Sequence, residues 1–276
     1  MKSTLRTFLA ATLVASAIPA FAQSVAFITN IKGDVAVDGT TRPMLLAELA
    51  KGQKLTVGRD AQLNVMFTAS GREYALKPGE YEVREGEISS PSGAPPAARN
   101  TEWRANTKVL SQVAQTSSAS VRMRSLARPK VDNSPKLVFP TEGDVGTLQP
   151  NFRWSADEKA AADVTVMMTG QDKPVHQAKV IGTSYRMTTK LKPDTEYAWT
   201  VSANGSEIGT AKFRTMPVSA IQSIEKRRPS DKAEFSDRLL FALYLQEMGA
   251  KQEARDAWTK LAQERSDLPE LSALAK

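Results

Sequence analysis

Between Val25 and Val83 apolar side chains recur at every second position in short runs. The runs are Val25 and Phe27; Val35 and Val37; Leu55 and Val57; Leu63, Val65 and Phe67; Tyr74 and Leu76; Tyr81 and Val83. Successive side chains of an extended chain point to opposite faces, so this period predicts half-buried strands and fits no helix. Turn-forming pairs separate the runs: Asp38-Gly39, Lys51-Gly52, Ser70-Gly71, Pro78-Gly79 and Glu85-Gly86. Residues 23–89 therefore read as a small all-β domain, whether barrel, sandwich or roll. Only residues 44–50 leave room for a short helical turn.

A second β stretch covers residues 136–217. Phe152 and Trp154 stand two apart, which puts both aromatics on one face of a strand. Residues 164–168 form another strand, Trp199 and Val201 lie on a third, and residues 210–215 close the sheet. Asn204-Gly205 is a hairpin signal, because a two-residue type I′ turn needs positive φ at both positions. Residues 221–276 change period. Ser230-Asp231 after Pro229 marks a helix start, and Phe235, Leu239, Ala242, Leu243 and Leu245 build one amphipathic face. Gly249 ends that helix, and Ala254, Ala257, Trp258 and Leu261 belong to a second. The expected fold class is a mostly β multidomain chain: a small all-β N-terminal domain, a β-sandwich and a C-terminal α-hairpin. Residues 90–135 join the two β domains. They begin as a Pro/Gly linker (90–98) and continue as a helical connector with Trp103, Val109, Leu110 and Val113 on one face.

The 276 residues include no cysteine and one histidine, His176. Thiol nucleophiles, disulfides, Cys-ligated metals and any two-histidine metal site are thereby excluded. Lys2 and Arg6 precede an apolar stretch at 8–18, and Ala20-Phe21-Ala22 offers a small-x-small cleavage site. Residues 1–22 read as a secretory signal peptide, with a mature chain from Gln23 and a periplasmic location. Such a stretch is too short to span a bilayer. An exported chain without disulfides must stabilise each domain on its own core or against its neighbours.

Lys and Arg number 37 against 30 Asp and Glu. The surplus beyond the leader is confined to residues 99–136, which hold eight basic side chains and two acidic ones. Arg122, Arg124, Arg128 and Lys130 form a candidate anionic-surface site, for a lipid headgroup layer, a cell-wall polymer or an acidic partner. A solvated linker helix explains the same residues. Nucleic acid is not an expected partner of an exported chain.

Three resemblances sharpen this reading. The segment from Gly33-Asp34-Val35-Ala36-Val37 through residues 49–58 and 61–67 to Ser70-Gly71 resembles the FecR-type periplasmic domain. That implies an extracytoplasmic sensing or protein-binding module. Founding members of that family place an anti-sigma region and a membrane helix ahead of it, and neither pattern occurs in residues 1–22. Residues 136–217 resemble a fibronectin type III sandwich through Leu191, Pro193, Thr195 and Tyr197, with Trp154 as the core tryptophan. The resemblance implies a corner at Leu191, Pro193 and Tyr197, in which the tyrosine hydroxyl bonds upstream backbone. Tyr197, Trp199 and Trp154 have a second reading as stacking platforms for sugar rings. Residues 245–261, with Gly249 at the turn and the small Ala254, resemble a tetratricopeptide hairpin. It implies helical contacts through Leu245, Trp258 and Leu261. A single repeat leaves an apolar face to be covered, by the rest of the chain, a second copy or a partner.

The chain offers few residues in patterns suited to catalysis. His176 sits between predicted strands, where a surface strand residue is the simpler reading. No Gly-x-Ser-x-Gly elbow, phosphate loop or calcium loop occurs. Catalytic residues, metals and cofactors are therefore not expected. The expectation is a non-enzymatic binding or scaffold protein of the envelope with a protein partner. The alternative is a cell-wall or glycan binder using the connector and the sandwich surface.

Overall fold

A computed structural model describes residues 24–39, 42–91, 93, 95–105, 134–230 and 232–275. Residues 1–22, read above as a signal peptide, and the connector residues Val109, Leu110, Val113, Arg122, Arg124, Arg128 and Lys130 lie outside the described residues. The chain is mostly β, with several sheets and a few C-terminal helices. Among the described residues no helix is long and apolar enough to cross a membrane.

The first unit has nine strands among the described residues: β1 (Ser24–Lys32), β2 (Val35–Val37), β3 (Glu48–Ala50), β4 (Lys54–Val57), β5 (Gln62–Phe67), β6 (Arg72–Leu76), β7 (Gly79–Val83), β8 (Ile88–Ser89) and β9 (Ala98–Asn100). One sheet runs β3-β1-β5-β6-β9 and the other β2-β4-β7-β8. The half-buried expectation holds for β4, whose residues alternate exposed and buried. It fails for β1 and β5, where buried residues run consecutively: Ala26, Phe27, Ile28 and Thr29, then Leu63 to Phe67. These strands are covered on both faces, as their near-continuous apolar character allows.

Two local expectations are also corrected. Residues 44–50 contain no helix: a turn at Leu45-Leu46 leads into β3, with Leu46 in the left-handed region at φ 63°. The backbone N–H of Leu46 donates to Ile28 O at 2.9 Å and that of Ile28 to Ala47 O at 3.0 Å. Those bonds hold a conformation that a branched side chain rarely adopts. The linker is shorter than expected, because β9 begins at Ala98 and pairs with β6 (Arg72 opposite Asn100). Gly33 marks a close approach between chain segments: a Cβ there would lie 2.9 Å from Ala61 Cα.

The second unit comprises β10 (Lys136–Phe139), β11 (Asp144–Val145), β12 (Asn151–Ser155), β13 (Ala161–Met168), β14 (Pro174–Ile181), β15 (Ser184–Arg186), β16 (Glu196–Ala203) and β17 (Ser206–Thr215). Its sheets, β10-β12-β15 and β11-β17-β16-β13-β14, enclose a separate core around Phe152, Trp154, Trp199 and Phe213. Asn204 and Gly205 both have positive φ, 50° and 78°, and join β16 to β17. Trp199 Nε1 donates to Pro140 O at 2.6 Å, giving this wholly buried ring its polar partner.

Among the described residues four helices follow: α1 (Val218–Arg227), α2 (Phe235–Glu247), α3 (Lys251–Glu264) and α4 (Pro269–Leu274). The expected cap is displaced. α2 starts at Phe235 with Glu234 before it, making no side-chain cap bond; Ser230 lies further upstream, and Asp231 is outside the described residues. Gly249, at φ 84°, closes α2 in a Schellman arrangement: Ala250 N–H donates to Leu245 O at 2.9 Å and Gly249 N–H to Gln246 O at 3.2 Å. The single amphipathic face is also corrected. Leu239 through Leu245 are buried without a break, so α2 is an internal helix. Its side chains belong to one apolar cluster with β1, β5, α3 and α4. The helices thus cover the first sheet, which explains why β1 and β5 have no wet face.

Candidate functional site

The polar groups that matter gather where the first β unit meets α2. Glu73, on β6, is only 2% exposed. A buried carboxylate is costly unless it is paired and hydrogen-bonded. Thr29 Oγ1 donates to Glu73 Oε1 at 2.6 Å, and Ser236 Oγ of α2 donates to Oε2 at 3.1 Å. Arg99, on β9, forms an ion pair with Glu73, its Nε lying 3.1 Å from Oε2. The same guanidinium donates from Nη1 to Asp237 Oδ2 at 2.7 Å and from Nη2 to Ser236 Oγ at 3.1 Å. Burial alone would lower its pKa, but the bonds to Asp237 and Glu73 outweigh burial and hold it above its ordinary value. Four elements, β1, β6, β9 and α2, are joined by this one cluster.

Beside it a 3-10 turn (Glu102–Ala105) carries Trp103 into the core, 3% exposed, with its ring edge-on to Tyr244 at 5.8 Å. Trp103 was expected on an amphipathic connector helix; it instead anchors the end of the first unit. Arg227 lies over the other partner of that contact, 5.1 Å from the Tyr244 ring centroid. A cleft of about 350 Å³ opens above these residues, lined by Arg99, Glu102, Lys226, Arg227, Arg228 and Asp237, among others. Arg228 pairs with Glu225 at 2.9 Å. Among the described residues no carboxylate is paired with Lys226, which is exposed at the end of α1. The cleft is a concave, predominantly cationic surface built on a rigid polar base. It can recognise an anionic group and exclude a cationic one.

A second hollow, about 280 Å³, shares Arg228 and Pro229 with the first and is lined by residues of α2 and α3. Leu245 and Leu261 contribute to its lining, yet each is only 2% exposed, and Trp258 is 1% exposed. The residues expected to make helical contacts therefore pack inside the chain itself. Glu253, on the same hollow, accepts from Gly146 N–H at 2.7 Å, and burial raises its pKa above the ordinary carboxylate value. With Gln252, which accepts from Thr141 N–H at 3.0 Å, and the Arg153–Asp256 ion pair, it ties α3 to the second β unit.

Leu191 and Tyr197 belong to the apolar core of the second unit, and Pro193 between them is half-buried. Tyr197 is 2% exposed and its hydroxyl accepts from Lys192 N–H at 2.9 Å. The same burial removes the sugar-platform reading: Trp154 and Trp199 are interior as well. His176 lies on β14, its ring stacked on Tyr185 with Nε2 2.6 Å from the hydroxyl. Among the described residues no cluster of three or more His, Asp or Glu side chains is placed to hold a metal ion. The four connector cations Arg122, Arg124, Arg128 and Lys130 lie outside the described residues.

Sequence reading missed Glu73, Arg99, Ser236, Asp237 and the Lys226-Arg227-Arg228 run. Only the run left a signal, three consecutive cations, and it was diluted in a segment of zero net charge. No family model and no curated protein matches the chain.

Proposed function

We propose that this chain is an exported, non-catalytic binding or scaffold protein of the bacterial envelope that acts through protein–protein contact. The observation that carries the reading is mechanical. The C-terminal helices bond to both β units: through Arg99, Ser236 and Asp237 on one side, and through Gln252, Glu253 and Asp256 on the other. Arg265 adds a further tie to the first unit, donating to Asn30 Oδ1 at 2.6 Å. Two β surfaces held in fixed relation by a helical clamp suit a protein whose task is to present surfaces to others. The likeness of residues 23–89 to the FecR-type domain, of 136–217 to a fibronectin type III sandwich and of 245–261 to a tetratricopeptide hairpin supports the same reading. So does the export pattern of residues 1–22.

The test is cross-linking in intact cells followed by mass spectrometry. The reading predicts a reproducible envelope partner whose cross-links fall on the β units or the cleft. Absence of any reproducible partner, or a hydrolytic activity of the purified chain on envelope polymers, would overturn it.

A further inference from the structure

We infer that the cleft between β9, the 3-10 turn and the α1–α2 connection is a docking site for a short acidic segment of a partner protein. The inference rests on the reading of the chain as a binding protein. It starts from how the cations reach one place. Successive residues of a helix point about 100° apart, so three in a row do not share a face. Here α1 ends at Arg227, and Arg228 is already extended at ψ 115° with Pro229 after it. Unwinding at that point lets Lys226, Arg227 and Arg228 line the same cleft.

The cations differ in how far they are already committed. Arg99 is held by Glu73 and Asp237, and Arg228 by Glu225. Arg227 is laid on the Tyr244 ring, which fixes its position without neutralising its charge. Lys226 has no carboxylate partner among the described residues. Two positive charges are thus left for an anion to neutralise. The other lining groups decide its chemistry. Glu102 and Asp237 stand in the same cleft, so a densely charged phosphate or lipid headgroup would meet carboxylates. A peptide satisfies both signs: its carboxylate side chain faces Lys226 and Arg227, and its backbone N–H groups face the acids. The volume, about 350 Å³, lies at the small end of the usual range for ligand sites and suits a short segment rather than a folded domain.

The experiment is fluorescence anisotropy on the full mature chain with a labelled hexapeptide of alternating glutamate and serine. Saturable binding that weakens as salt rises is expected. Lys226→Glu should weaken it about fivefold, and Lys226→Arg should leave it near the parent value. An all-serine hexapeptide, inorganic phosphate and phosphatidylglycerol vesicles serve as competitors, and none should displace the probe at matched concentration. No binding, or binding unchanged by Lys226→Glu, overturns the inference. Displacement by phosphate or vesicles overturns the peptide assignment. Cross-linked partners found elsewhere on the surface would leave the binding-protein reading intact while the cleft fails.

Discussion

The two β units solve the same problem in different ways. The second unit closes a core of its own: Phe152, Trp154, Trp199 and Phe213 meet between its two sheets, and hydrogen bonds and an ion pair tie it to the helices. The first unit does not. Its apolar cluster includes Leu239, Leu243, Trp258 and Leu271, contributed by the last segment of the chain. The difference lies in the strands. The buried residues of β12 and β16 alternate with partly exposed or exposed ones, whereas β1 and β5 bury successive residues and need cover on both faces. One unit can therefore be stable alone, while the other depends on contacts about two hundred residues away in sequence, a costly loop to close.

Substitutions can break this contrast, and the largest effect belongs to the shared core. Leu239→Ala should destabilise the first unit and the helices together by about 3 kcal/mol, through lost burial and the cavity left behind. Calorimetry should show that transition shifting while the second unit's stays in place. Arg99→Ala comes next. It leaves the Glu73 carboxylate buried without its cation and should cost about 2 kcal/mol in the same transition, a figure reduced because Arg99 is partly in water. Tyr197→Phe removes the acceptor of Lys192 N–H and should cost about 1 kcal/mol, confined to the second unit.

Smaller effects sharpen the polar side of the contrast. Burial raises the Glu253 carboxyl, so the folded chain keeps a proton that the unfolded chain releases at lower pH. Its contribution is full below the ordinary carboxylate range and fades as pH rises through the raised value. Glu253→Gln keeps an oxygen for Gly146 N–H, so the variant should lose less stability than the parent between acidic and neutral pH in thermal melts. Asp267 has the opposite sign. The bond from Arg265 holds its carboxyl below the ordinary value, so that stability is lost as pH falls. Arg214→Ala removes only the exposed pair with Asp194 and should change stability by about 0.5 kcal/mol or less.

These differences also explain what could be read from the chain beforehand. Strand positions and turns were legible because alternation and turn chemistry are local: Asn204-Gly205 and Gly249 sit where their conformations are needed. The docking of α2 was not legible. The run Leu239 to Leu245 is apolar at every position, which no single helix face can hold and which signals a helix covered all round, but nothing local tells which sheet covers it. β9 escaped because Ala98, Arg99 and Asn100 have little strand character of their own and are ordered by pairing with β6. The Glu73–Arg99–Asp237 cluster escaped for the same reason as the cleft. Its members lie up to 164 positions apart, and each alone reads as a surface charge.

Hydrogen exchange on the intact chain tests the division most directly. The shared core predicts that the amides of β1, β5 and α2 exchange through one common opening, weakened together by Leu239→Ala, while β13 and β16 keep their protection. Protection of β1 and β5 that survives Leu239→Ala while α2 alone loses its own would contradict it.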